Sequence, residues 1–123
     1  MLFRSFVLLQ PVVLTAKPLP PVITNLEKSN CGVNLTWSVN DNARCPLTEC
    51  TIYYRQIYGD GTKKESWSKI DITIVSVTHH QWAVQCGTRY EIAVSVWNEM
   101  GESNLSISQQ IKTESRARLN GNL

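Results

Sequence analysis

No apolar run in this chain reaches the roughly 18 to 20 residues that span a bilayer as a helix. No charge of one sign dominates either: 12 Lys and Arg stand against 10 Asp and Glu, a formal net charge of +2. The first absence excludes a helix-spanning membrane chain of this length. The second argues against a nucleic-acid binder, whose cations are more numerous and gathered on one face. An acidic tail and a Gly-rich phosphate loop are also missing, and no stretch repeats apolar residues at helical spacing. A nucleophile needs a base within reach that a third group orients. The adjacent pair His79-His80 has no acidic partner at a readable spacing. Gly59-Asp60-Gly61 lacks the spaced acidic ligands of a calcium loop and reads as a hairpin turn, because Asp-Gly suits a primed conformation. With 42% hydrophobic and 18% charged residues, the chain is expected to fold. Its 123 residues leave room for one domain with short flanks.

The segment Met1 to Ala16 is apolar and carries one charge, Arg4. Two readings fit it. One is a secretory signal, with an apolar centre through Phe6-Val7-Leu8-Leu9 and small residues Thr15-Ala16 before Lys17, although Gln10-Pro11 interrupts that centre. The other is the last strand of a preceding domain. Either way the segment is excluded from the core. Pro18-Leu19-Pro20-Pro21 marks a boundary, since three prolines in four residues cannot sit in a central strand and form a stiff spacer. Residues 114–123 lack a periodic apolar pattern and read as tail or linker. The expected division is therefore a signal-like or remnant segment at 1–17, a domain at 18–113 and a tail beyond.

Period-two alternation dominates that domain. Cys31, Val33, Leu35 and Trp37 share one face; Gly32, Asn34, Thr36 and Ser38 share the other. Cys50, Ile52 and Tyr54 repeat the pattern, and Tyr90, Ile92, Val94 and Val96 give its cleanest case. Turn signals at Asn40-Asp41-Asn42, Gly59-Asp60-Gly61, Gly87 and Gly101 separate these runs. Short strands at such spacing predict an all-β antiparallel sandwich or barrel, each strand burying one face.

The residues then resemble a fibronectin type III domain. Pro20-Pro21 leading into Val22-Ile23 is similar to the opening of its first strand. Val33-Asn34-Leu35-Thr36-Trp37 is similar to its second, ending in the core tryptophan. Pro46 to Arg55 resembles the third strand, and Trp67 the tryptophan of the next. Val84-Gln85-Cys86-Gly87-Thr88-Arg89-Tyr90 resembles the family's leucine-x-proline-glycine-threonine-x-tyrosine turn. Asn98 to Ser103 resembles the loop before its final strand. The match covers about four fifths of the chain. Cys86 stands where the family usually has proline, and Cys50 where it often has an aromatic. Such cysteine-containing domains are similar to those of adhesion and recognition receptors. The resemblance implies an immunoglobulin-like sandwich of seven antiparallel strands. Trp37 would fill the space between its sheets, and Tyr90 would bond backbone a few residues upstream as a tyrosine corner.

The resemblance also bears on the four cysteines. In that fold Cys31 opens the second strand and Cys86 closes the fifth. These strands are antiparallel neighbours, so the two thiols come within disulfide range, about 5.5 Å between Cα atoms. Two buried thiols are the alternative. Cys45 and Cys50 would lie about 16 Å apart on an extended strand, so a bridge between them needs a turn at Pro46. A zinc site with His79-His80 fits no standard ligand spacing.

Asn34-Leu35-Thr36 and Asn104-Leu105-Ser106 are glycosylation sequons, with Asn34 on the outward face of its strand. Lys63-Lys64, Lys69 and Arg55 read as a solvated hairpin, with a weak site for anionic polysaccharide as the alternative. Trp97 points outward beside a loop. With Asn98, Glu99 and Met100 it forms the expected partner-binding loop; packing against a neighbouring strand is the competing role. The expected function is an extracellular interaction or spacer module of a cell-surface receptor. It would bind another protein and touch a membrane only through its parent, with no nucleic acid, small-molecule substrate, cofactor or metal. An intracellular structural module, as in muscle giant proteins, is the alternative.

Overall fold

The computed structural model describes residues 16–40 and 45–116. The signal-or-remnant expectation for the first fifteen residues, most of the Asn40-Asp41-Asn42 turn and the tail beyond Arg116 lie outside the described residues.

Strand β1 (Val22–Ser29) pairs antiparallel with β2 (Gly32–Ser38). Asn30, at φ 57°, turns the chain between them in a left-handed conformation that Asn tolerates better than most residues. The long β3 (Leu47–Tyr58) turns through Gly59 into the two-residue β4 (Lys63–Lys64), and β5 (Ser68–Ile72) follows. Then come β6 (His79–Ala83), β7 (Arg89–Asn98), β8 (Gly101–Glu102) and β9 (Gln109–Lys112). Among the described residues, seven strands are thus four residues or longer, and two are short ladder extensions.

These strands form two antiparallel sheets. The smaller has the order β1-β2-β6. In the larger, β3 and β7 lie at the centre. β4 and β5 pair with successive parts of β3, and β8 and β9 with successive parts of β7. This is a sandwich, and its core sits where the apolar faces meet. Val33, Leu35 and Trp37 of β2 face Cys50 and Ile52 of β3 and Tyr90, Ile92, Val94 and Val96 of β7. Tyr54 is half-buried and packs on the edge of this cluster beside Trp82 and Tyr90. The Trp37 indole N–H reaches no oxygen or nitrogen. Its polar neighbour is the Cys50 thiol, whose pKa burial raises and this indole partly lowers.

The hairpin after β3 departs from expectation in one detail. Gly61 N–H donates to Tyr58 C=O at 2.8 Å, so the central positions are Gly59 and Asp60. Gly59 carries the positive φ, 57°. Gly59 takes the first central place instead of the Asp-Gly pair, and Gly61 follows at φ 93°, because glycine adopts positive φ without a Cβ penalty. The Asp60 carboxylate accepts from Thr62 N–H at 3.1 Å.

Strand β7 departs further. Every residue from Tyr90 to Val96 is buried, including Glu91, Ala93 and Ser95, which point away from the core. The larger sheet therefore buries part of its outward face as well.

Candidate interaction surface

The outward face of the larger sheet begins with β3, where Thr51, Tyr53 and Arg55 alternate with the core residues Cys50, Ile52 and Tyr54. The register of the sheet sets their neighbours. Across β7 stand Ser95, Ala93 and Glu91 respectively; across β5, Thr51 meets Asp71 and Tyr53 meets Lys69. Small residues at 93 and 95 leave space that larger side chains close over.

Trp67 sits just before β5. Its ring meets Tyr53 edge-on, with centroids 6.0 Å apart, and the Arg55 guanidinium lies 3.9 Å from its centroid. Arg55 Nε also donates to Glu91 Oε1 at 2.8 Å. Lys64 Nζ reaches the same oxygen at 3.4 Å, and the Ser108 hydroxyl donates to Glu91 Oε2 at 2.7 Å. Burial works against the charged form of Glu91. Ser108, Arg55 and Lys64 together outweigh it and hold the carboxyl below its usual range.

A second group lies toward the other end of the strands. The Tyr53 hydroxyl donates to Glu102, which also accepts from Ser95 Oγ at 2.6 Å. Burial, followed by that bond to Glu102, pushes the Tyr53 pKa up to about 12. Thr51 Oγ1 donates to Asp71 at 3.0 Å and accepts from the Trp97 indole N–H at 3.0 Å.

Trp97 thus lies on the outward face, half-buried, with its ring tied down to β3. Asn98 is buried on the opposite side. Its Oδ1 accepts from Met100 N–H at 2.8 Å, and its Nδ2 donates to Ala16 C=O at 2.8 Å. It shapes the turn instead of presenting itself to a partner. Gly101, at φ 133°, completes that turn against the Lys17 side chain. Glu99 and Met100 are the exposed members of this loop, Met100 at 46%. Loop and sheet face are continuous, because Trp97 opposes Glu102 across β7 and β8.

The structure joins Cys31 to Cys86, with Cα atoms 4.6 Å apart. The bridge clamps the β1–β2 turn to the chain leaving β6, where Val84 N–H donates to Cys31 C=O at 2.9 Å. Cys45 and Cys50 are buried thiols. The Tyr90 hydroxyl accepts from Gln85 N–H at 2.9 Å, five residues upstream. Asn34 is half-buried on the outward face of the smaller sheet, its Oδ1 against His79 Nε2. Asn104 is exposed in the loop after β8. His80 stacks on Trp82. Among the described residues no three His, Cys, Asp or Glu side chains are grouped to hold a metal ion. Lys63 pairs opposite Tyr58 and lies away from Lys64, Lys69 and Arg55, so the expected lysine patch is divided between two faces.

Sequence reading missed Glu91, Ser108 and Glu102 as parts of a face. Only Glu91 carried a signal, its alternation with the core positions Tyr90 and Ile92; Ser108 precedes β9, and Glu102 registers opposite the outward Trp97.

No protein-family model matches this chain. It is 20% identical over 106 residues to the cell adhesion molecule Dscam2 of Drosophila melanogaster, covering 86% of this chain and 5% of that protein. The chain thus spans about a twentieth of that relative's length. Among solved structures, it is similar to the third fibronectin III domain of the human KIAA0343 protein. That match has a TM-score of 0.66 and 20% identity, over 82% of this chain and 86% of the other. It is also similar to part of the twitchin kinase region from C. elegans, with a TM-score of 0.65 and 21% identity over 82% of this chain and 17% of that one. Two antiparallel sheets, this strand order and these likenesses agree: the chain has the fibronectin type III fold.

Proposed function

We propose that this domain is an extracellular contact module of a larger cell-surface receptor, acting by binding another protein and not by catalysis. The observation that carries the reading is the outward face of the larger sheet. Inward faces are committed to the core, so recognition falls to outward faces and loops. Here that face presents Trp67 and Arg55, half-buried and of residue types enriched at interface hot spots, over the buried Tyr53. They are already fixed by one another, so little side-chain freedom remains to be lost on binding. The Cys31–Cys86 pair supports an oxidising compartment, and the likeness to Dscam2 supports an adhesion setting. The Asn34 sequon lies on the other sheet, so a glycan there leaves this face open.

A cell-binding assay tests the reading. The full chain, immobilised, is expected to retain cells, and Trp67→Ala or Arg55→Ala is expected to lose most of that retention while the far-UV spectrum is unchanged. A wild-type surface that retains no cells would make the domain a spacer.

One observation favours a second reading, an intracellular structural module. It is the fold likeness to part of the twitchin kinase region, together with the two buried thiols Cys45 and Cys50. Reduced Cys31 and Cys86 in the native protein would decide for it.

A further inference from the structure

Charge on the outward face of the larger sheet is segregated along the strands. At one end Arg55 and Lys64 share the single carboxylate of Glu91. Exposed Arg89 and Lys112 pair across β7 and β9 beside them, so four cations stand against Glu91 and, at the hairpin tip beside Arg89, Asp60. At the other end Glu49 lies opposite Trp97, Asp71 opposite Thr51, and Glu102 opposite Trp97 from the far side. The one cation nearby is Lys17, against Gly101, among the described residues. Lys69 lies midway, opposite Tyr53. Six steps along β3 lead from Glu49 to Arg55, about 20 Å.

A surface with one basic end and one acidic end is complementary to a copy of itself turned end for end. A two-fold axis in the plane of contact, perpendicular to the strands, makes that turn and sets each basic end over the partner's acidic end. The exposed Lys69, over the buried Tyr53, then falls near the centre, with the half-buried Trp67 ring beside it toward the basic end as the rigid aromatic contact.

We propose that two copies of this chain associate face to face through this surface. The proposal rests on the reading of the domain as a contact module and names its partner. The central strands β3 and β7, 12 and 10 residues long, with their shorter edge strands about 4.8 Å away, offer about 500–600 Å² per copy. That is at the low end for specific interfaces, the range of weak and transient contacts.

Sedimentation equilibrium of the full chain, over a range of concentration at low salt and in 0.5 M NaCl, tests it. Self-association is expected at low salt, weakening about tenfold at high salt. Reversing the basic end, Arg89→Glu with Lys112→Glu, gives a face acidic at both ends. Reversing the other, Glu49→Lys with Asp71→Lys, gives one basic at both ends. Each double variant alone is expected to be monomeric, and an equimolar mixture of the two is expected to form a heterodimer. Should a double variant fail to fold, Lys112→Glu and Asp71→Lys alone, both at exposed side chains, make the same comparison. A wild-type chain monomeric to about 1 mM, variants that associate like wild type, or a mixture that stays monomeric would each overturn the proposal. Cell retention that survives in those cases would leave the contact reading standing with a different protein as partner.

Discussion

The Arg55 guanidinium lies 3.9 Å from the centre of the Trp67 ring. The contact joins β3 to the segment that leads into β5, because Arg55 is on β3 and Trp67 precedes β5. It fixes the ring that Tyr53 meets from its edge, and the same guanidinium holds Glu91 on β7. One arginine therefore ties β3, β7 and the segment before β5 together on a face that ordinary sandwich logic leaves to solvent.

Arg55→Lys keeps the charge and removes the planar fork. Lysine cannot both stack flat on Trp67 and bond Glu91 with the same geometry. The variant is expected to lose about 1 kcal/mol of stability and to raise Trp67 mobility, read as a fall in tryptophan fluorescence anisotropy. An unchanged denaturation midpoint and anisotropy would show that the stack contributes nothing.

Glu91 makes stability depend on acid. Burial opposes its charge, but Ser108, Arg55 and Lys64 hold its folded pKa below the ordinary value. A depressed carboxyl stabilises above the unfolded pKa, and that contribution is lost as pH falls through the folded value. Wild type is thus expected to lose stability below about pH 4.5, while Glu91→Gln has a flatter acid limb. At pH 7 the variant also leaves Arg55 without its carboxylate, costing about 1–3 kcal/mol. Urea denaturation at pH 3, 5 and 7 reads both effects. Parallel pH profiles would remove Glu91 from the account.

Trp97 separates packing from recognition. Trp97→Phe keeps the aromatic body and deletes the bond to Thr51 Oγ1, which costs about 1 kcal/mol. Trp97→Ala also exposes the sheet beneath and costs about 2–3 kcal/mol. Both are expected to fold. If neither changes cell retention, the contact lies toward Trp67 and the basic end, and the Trp97 loop plays a structural part.

The Cys31–Cys86 bridge closes a sequence separation of 55 residues. A loop of that length constrains the unfolded chain by about 4 kcal/mol in the chain-entropy model. Cys31→Ser with Cys86→Ser is expected to lower stability by about that amount. Reducing agent is expected to lower the wild-type midpoint and leave the double variant unmoved. Equal sensitivity of both proteins would mean the reductant acts elsewhere.

The sandwich was legible wherever one face of a strand is buried. Val33, Leu35 and Trp37 alternate with polar neighbours because only one side of β2 meets the core, and Tyr90, Ile92, Val94 and Val96 do the same on β7. The outward set on β7 was not legible. Glu91, Ala93 and Ser95 carry the small and polar character of a solvated face, yet neighbouring side chains seal them. That sealing depends on register. Trp67 reaches Arg55 only when β5 lies beside β3, and Tyr53 reaches Glu102, 49 residues on, only when β8 lies beside β7. Local alternation carries no information about such pairings. The two-residue strands β4 and β8 are too short to show any period. Trp97 was legible as outward-facing, but the bond that holds it down needed a hydroxyl from a strand 46 residues earlier.

The measurement that bears most directly on an extracellular contact domain is peptide mapping of the native chain, alkylated before any reduction. The account predicts one linked pair, Cys31 with Cys86, and alkylation of Cys45 and Cys50 only after unfolding, since both are buried. Native protein isolated with Cys31 and Cys86 both as thiols, open to alkylation, would contradict it and place the domain among intracellular structural modules.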